Sequence, residues 1–118
     1  MINSDLGMSK GKIPIQVAHG EVFYVETVKA NNPENTEMYE RYLEWRYGDN
    51  ELMKKVAIKA TEHEMNQMAV ILEDKGIWVH KVYDRGLTQV PQDSFTCLVV
   101  EPISEEQHKE LFGDFKLL

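Results

Sequence analysis

Asp84, Gly86 and Thr88 fall together in the polar stretch Asp84-Arg85-Gly86-Leu87-Thr88-Gln89-Val90, between two apolar, β-favouring runs at 77–83 and 95–100. A carboxylate at the end of a strand, followed by a glycine that lets the backbone turn, presents an acid on a rigid scaffold. The same residues also make an ordinary turn. A second set, Lys10-Gly11-Lys12, precedes a long helical pattern. Pro14 is tolerated only in a first turn, which dates the helix start to Gly11 or Lys12. Both lysines then stand at or before a helix N-terminus, where anions are favoured. An acid, a hydroxyl and a cation that converge would make an anion or acyl site. The alternative is a solvated basic cap and an unrelated polar turn.

Other chemistries lack support. His19, His63, His80 and His108 are scattered without metal-ligand spacing, and there is no Walker pattern, Gly-x-Gly-x-x-Gly or Gly-x-Ser-x-Gly. The single cysteine, Cys97, lies inside an apolar strand pattern and reads as a buried, inert thiol.

The elements that must position these groups follow from periodicity. Met1 to Ser4 reads as a short strand and Asp5 to Ser9 as a loop. The first helix shows Ile15, Ala18, Val22, Val25 and Val28 at steps of three and four, an apolar stripe expected to face the core. Gly20 costs that helix about 1 kcal/mol relative to Ala, so something is expected to pack closely against it. Asn31-Asn32-Pro33 ends the helix. Asn35 can cap a second one, with Met38, Tyr39, Tyr42 and Leu43 as its apolar face. Residues 54–60 read as a strand. Thr61 and Glu64 form a capping box ahead of Met65, Met68, Ala69 and Leu72, and Gly76 closes that helix. Ser104 and Gln107 form a second capping box, opening a helix that ends near Gly113.

The 118 residues suit one domain, 1–118, of ordinary globular composition with 42% apolar residues. Strands separated by helices imply an α/β fold with largely parallel pairing and helices on both faces, ligands collecting at strand ends. The net charge of −7 argues against strong, unspecific nucleic-acid binding, so any RNA contact must come from a local basic cluster. No apolar run reaches the length of a membrane span and no signal-peptide pattern is present. Together with the lack of a disulfide framework, this fits the cytoplasm.

The stretch from Asn3 to His19, with Asp5-Leu6-Gly7-Met8-Ser9-Lys10-Gly11-Lys12, Gln16 and His19, resembles the opening of the archaeal and eukaryotic type of peptidyl-tRNA hydrolase, type 2. Asp84-Arg85-Gly86-Leu87-Thr88-Gln89-Val90, followed by Ser94 and Thr96, resembles that family's second signature, and Gly113-Asp114-Phe115-Lys116-Leu117-Leu118 its C-terminus. The likeness covers essentially the whole chain. Pro14 and Ile15 stand where small residues are common in the family, Gly20 replaces a frequent alanine, and the first strand is unusually short.

The resemblance implies a three-layer α/β/α sandwich with a four-stranded mixed sheet. It implies hydrolysis of the ester joining a peptide to the 3′-terminal ribose of tRNA, by a homodimer without a metal or cofactor. Lys12, Asp84, Thr88 and His19 are the expected catalytic residues, with Lys10, Arg85, Gln89, Ser94 and Thr96 expected to bind substrate. Lys116 is a further candidate for RNA contact, and Tyr42, Trp45 and Trp78 are candidates for an interface. Ser94 and Thr96 alternate along one strand and are expected on one face. The competing reading is a non-catalytic tRNA- or protein-binding module that keeps the fold.

Overall fold

The run Ser94-Phe95-Thr96-Cys97-Leu98-Val99-Val100 is dominated by β-branched and apolar residues, and it forms the strand on which the other elements assemble. The computed structural model describes residues 1–31, 33–34, 36–86 and 90–118. Its elements, in chain order, are β1 (Ile2–Asn3), α1 (Lys12–Asn31), α2 (Thr36–Tyr47), β2 (Lys59–Ala60), α3 (Glu62–Asp74), β3 (Val79–Asp84), β4 (Ser94–Val100) and α4 (Glu105–Phe112). The sheet order is β2-β1-β4-β3. β4 is therefore a central strand and β3 an edge.

The sheet is mixed, and it corrects the expectation of largely parallel pairing. Only β1 and β2 run parallel; β4 is antiparallel to both β1 and β3. Among the described residues no helix stands between β3 and β4, and such consecutive strands pair as antiparallel neighbours. The expected strand at 54–60 shrinks to Lys59–Ala60. Lys54, Lys55 and Val56 are exposed and leave the sheet. The C-terminal tail lies along residues 57–59, with Lys59 N donating to Lys116 O at 2.9 Å and Leu118 N to Ala57 O at 3.0 Å.

Three layers result. On one face Met65, Met68, Ala69 and Leu72 of α3 and Phe112 of α4 pack with Phe95 and Leu98. On the other face Ile13 and Val17 of α1 pack over Ile2, Val82 and Cys97. α2 joins that second layer through an aromatic cluster of Tyr24, Tyr39, Tyr42, Trp45 and Trp78 around Val28 and Met38. The three interface candidates Tyr42, Trp45 and Trp78 thus spend their rings largely on intramolecular contacts. Both capping boxes form as expected, at Thr61/Glu64 and Ser104/Gln107. The proposed cap Asn35 lies outside the described residues.

The orientation of α1 departs from the expected stripe. Ile15 and Val22 are 54% and 56% exposed, whereas Gln16, Gly20, Tyr24 and Val28 are buried. Spacing by four selects a different ridge from the one apolar counting favours. The reason is Gly20. A Cβ there would collide with Val99 and touch Val82, so the helix seats its smallest residue on β3 and β4. The close approach expected at this glycine is present. α2 is tied to β3 by Glu101, 4% exposed, whose Oε2 accepts from Trp78 N at 2.7 Å and whose Oε1 accepts from Arg41 Nε.

Replacing Gly20 with Ala should therefore destabilise the fold by roughly 1–3 kcal/mol through overpacking, even though alanine is the better helix former by about 1 kcal/mol. Urea unfolding of the two proteins measures this; an alanine variant as stable as the parent would show that α1 can lift off the sheet without cost.

Candidate active site

Alternation along β3 sends His80, Val82 and Asp84 to the α1 side of the sheet. His80 meets Phe23, Val82 lies under Ile13 and Val17, and Asp84 meets Lys12. Helical spacing puts Lys12 and Gln16 on one face of α1. The two sets converge on the Asp84 carboxylate. Its Oδ2 accepts from Lys12 Nζ at 2.6 Å and from Gln16 Nε2 at 2.9 Å, and its Oδ1 accepts from Gly86 N at 2.6 Å. The side chains of Lys12 and Asp84 are 12% and 11% exposed, sheltered but not sealed from solvent.

Gly86 is required by this geometry. Its φ is +75°, and an added Cβ would collide with the backbone of Pro91 and Gln92. Only glycine adopts that conformation there without strain, and it aims the amide back at the acid two residues earlier.

A second row of hydrogen bonds holds the first. Thr96 Oγ1 donates to Gln16 Oε1 at 2.8 Å, both residues being buried, and Cys97 Sγ donates to Gln16 O at 3.6 Å. Thr96 and Cys97 both reach α1 because of a β-bulge. Val82 pairs with Cys97 and Tyr83 with Phe95, which leaves Thr96 as the extra residue. The bulge also separates Thr96 from the role expected for Ser94. Ser94 stands opposite Asp84 in the ladder, but its Oγ donates to Pro91 O at 2.6 Å and closes the turn before β4. Burial pushes the Cys97 thiol up to about 11, as suits an inert core residue.

The Asp84 carboxyl is held below its ordinary value. The hydrogen bond from Lys12 is the main cause, followed by the Gly86 amide; desolvation opposes them, and the Lys12 charge and Gln16 amide add to the lowering. A carboxylate so stabilised stays ionised through the whole neutral range.

The expected residues thus separate into groups. Lys12 and Asp84 touch, and Thr96 supports them through Gln16. Lys10 and Arg85 are exposed beside Lys12 and Asp84 in sequence. His19 is exposed on the same stripe of α1 and makes no hydrogen bond among the described residues, so it does not cap a core edge. Thr88 and Gln89 lie outside the described residues. Lys116 runs beside β2, at the edge of the sheet opposite to β3. Gln16 is the site residue that sequence reasoning did not single out. Its signal was an amide four residues after Lys12, one helical turn further on, inside the opening stretch that resembles the family signature. The signature acid Asp5 acts structurally, since its Oδ2 accepts from Glu62 N at 2.9 Å, at the start of α3.

The protein-family model described as "Peptidyl-tRNA hydrolase PTH2" matches residues 1–118. The chain belongs to this family. Among its curated relatives, the peptidyl-tRNA hydrolase of Thermococcus sibiricus is 38% identical over 120 residues, covering 100% of this chain and 93% of that protein. That of Thermococcus onnurineus is 36% identical, with 100% and 93% covered. That of Thermoplasma acidophilum is 32% identical, with 99% and 93% covered. The two stretches whose residues resemble this family in the sequence are the ones that meet at the Lys12–Asp84 pair. No helix among the described residues is long and apolar enough to cross a membrane.

The lowered Asp84 carboxyl has a consequence for stability. Its contribution is complete above the unfolded-state value of about 4 and is lost as pH falls through the lower folded-state value. The difference in unfolding free energy between the parent and Asp84→Asn should be constant from pH 7 to pH 5 and close below pH 4. Urea titrations across that range test this; a difference that stays flat down to pH 2 would show a carboxyl that titrates alike in both states.

Proposed function

We propose that the protein cleaves the ester between peptide and tRNA at the Lys12–Asp84 pair, by direct attack of water. Peptidyl-tRNA hydrolysis is the activity of the family to which the chain belongs. The observation that supports this location is the 2.6 Å contact between Lys12 Nζ and Asp84 Oδ2, which joins one residue from each family signature in a sheltered position.

The reaction needs a water placed against the ester carbonyl and a counter-charge for the oxyanion. Asp84 accepts a hydrogen bond from the water and orients it. Because its carboxyl lies below the ordinary range, Asp84 is a weak proton acceptor and a strong anchor, and its part is placement. Lys12 faces the developing oxyanion with its ammonium, a contact stronger in the transition state than in the ground state. The hydroxyl of the water joins the acyl carbon, the bond to the ribose oxygen breaks, and a proton passes to that oxygen. His19, on the same stripe of α1, carries that proton, and Thr88 orients the water or the substrate. Lys10, Arg85 and Gln89 hold the substrate beside the pair, while Thr96 acts through Gln16, and Ser94 shapes the loop. No covalent intermediate, metal or cofactor enters this scheme.

The working unit of this reading is one domain, residues 1–118, acting in the cytoplasm as a homodimer. RNA affinity is local and salt-sensitive, since the whole chain carries −7.

Release of labelled peptide from peptidyl-tRNA tests the assignment. Asp84→Asn, which removes the charge but keeps the shape, should lower kcat by about 10²-fold or more, and Lys12→Met by a similar factor. Full turnover in Asp84→Asn would move the chemistry elsewhere. No turnover by the folded parent, with tRNA still bound, would favour a binding module.

A further inference from the structure

We propose that the flank of α1 against β3, from the Lys12–Asp84 pair to Phe23 and His80, is a track for the unpaired 3′ end of the tRNA, with the exposed Phe23 ring as the stacking platform for a base upstream of the terminal adenosine. The inference rests on the reading of Lys12 and Asp84 as the reacting centre, and it adds a binding site that neither family signature contains.

Three observations carry it. First, Phe23 is 44% exposed and is not a loose surface residue. Its ring lies over His80 with centroids 4.1 Å apart and planes 29° apart. His80 in turn stacks with Trp78, at 6.0 Å and 10°, and Trp78 packs on buried Tyr24 at 5.5 Å. The result is a stack of three rings anchored in the core at one end and open to solvent at the other. Second, the stack lies in line with the reacting centre on both elements. Lys12, Gln16, His19 and Phe23 follow each other at helical spacing on one stripe of α1. His80 and Asp84 share one face of β3, the edge strand, and the strand rises about 13 Å between them. That separation is too long for the terminal base of an ester held at Asp84, and it suits a base further up the single strand. Third, the charge of the chain leaves room for such a contact. With a net charge of −7 the overall field of the protein does not attract RNA, so local contacts must supply the affinity. Base stacking on aromatic rings supplies affinity without charge.

The test compares Phe23→Leu, which keeps apolar bulk on the helix but loses the flat face, with Phe23→Trp, which keeps it. Steady-state kinetics on peptidyl-tRNA should show KM raised roughly 5- to 100-fold in Phe23→Leu with kcat nearly unchanged, and KM restored in Phe23→Trp. The trinucleotide CpCpA should inhibit the parent and Phe23→Trp competitively, and Phe23→Leu more weakly by a similar factor. An unchanged KM in Phe23→Leu would overturn the proposal. So would a fall in kcat at constant KM, which marks a structural effect on the catalytic pair, or a change in sedimentation, which marks an interface between copies. Asp84→Asn with full turnover would instead sink the underlying reading of the site, so the two failures are distinct.

Discussion

The ion pair between Lys12 and Asp84 is the contact around which the rest of the molecule is arranged. A carboxylate and an ammonium this sheltered are stable only if their remaining hydrogen-bonding capacity is met. Gln16 and Gly86 supply further donors to Asp84, and Thr96 fixes the rotamer of Gln16. Each donor comes from a different place in the chain: one from the first turns of α1, one from the glycine after β3, one from the bulge in β4. Moving any one element would leave a charged group underserved. The demands of the site therefore also constrain the packing of α1 on the sheet.

That packing depends on features with no catalytic content. Gly20 lets α1 approach Val99 and Val82 closely enough for Lys12 and Gln16 to reach the end of β3. Further along, Tyr24 and Val28 lock the same helix into the aromatic cluster shared with α2. Glu101 fastens α2 to the start of β3 through Arg41 and the Trp78 amide, in a pair that is costly to desolvate and therefore specific in its geometry. The ordering that begins at Glu101 thus reaches Trp78, then His80, then the face of β3 that ends at Asp84.

The surroundings of Asp84 differ from those of an acid tuned for proton abstraction. A general base works best with a pKa near the operating pH, and enzymes reach it by burying an acid away from cations. Asp84 is treated in the opposite way: every neighbour that touches it stabilises the charge. Such an acid is suited to holding a water and a lysine in register. In the proposed reaction placement and counter-charge replace a strongly basic group, and the leaving ribose oxygen receives the proton that the water gives up.

Much of this was legible in the sequence because it depends on local rules. The acid followed by a glycine, the lysines ahead of Pro14, the two capping boxes and the order of elements all follow from backbone preferences within a few residues. The close contact at Gly20 was legible too, since a glycine inside a helix needs a reason. Local rules failed wherever a distant partner decided the outcome. The apolar residues Ile15, Ala18 and Val22 suggested one face of α1, but the helix turned to seat Gly20 on β3 and β4, leaving Ile15 and Val22 exposed. The run at 54–60 looked like a strand, yet only the part that finds β1 and the C-terminal tail pairs. Helices between strands suggested parallel pairing, but the neighbour of each strand is set by how the layers close. The sequence by itself determined that Asp84 stands at a strand end before a glycine turn and Lys12 in the first turn of a helix, because charge and turn geometry are written in single residues. Only the tertiary structure decided that Gln16 joins them, because the bulge that brings Thr96 to Gln16 exists only when β3 and β4 pair.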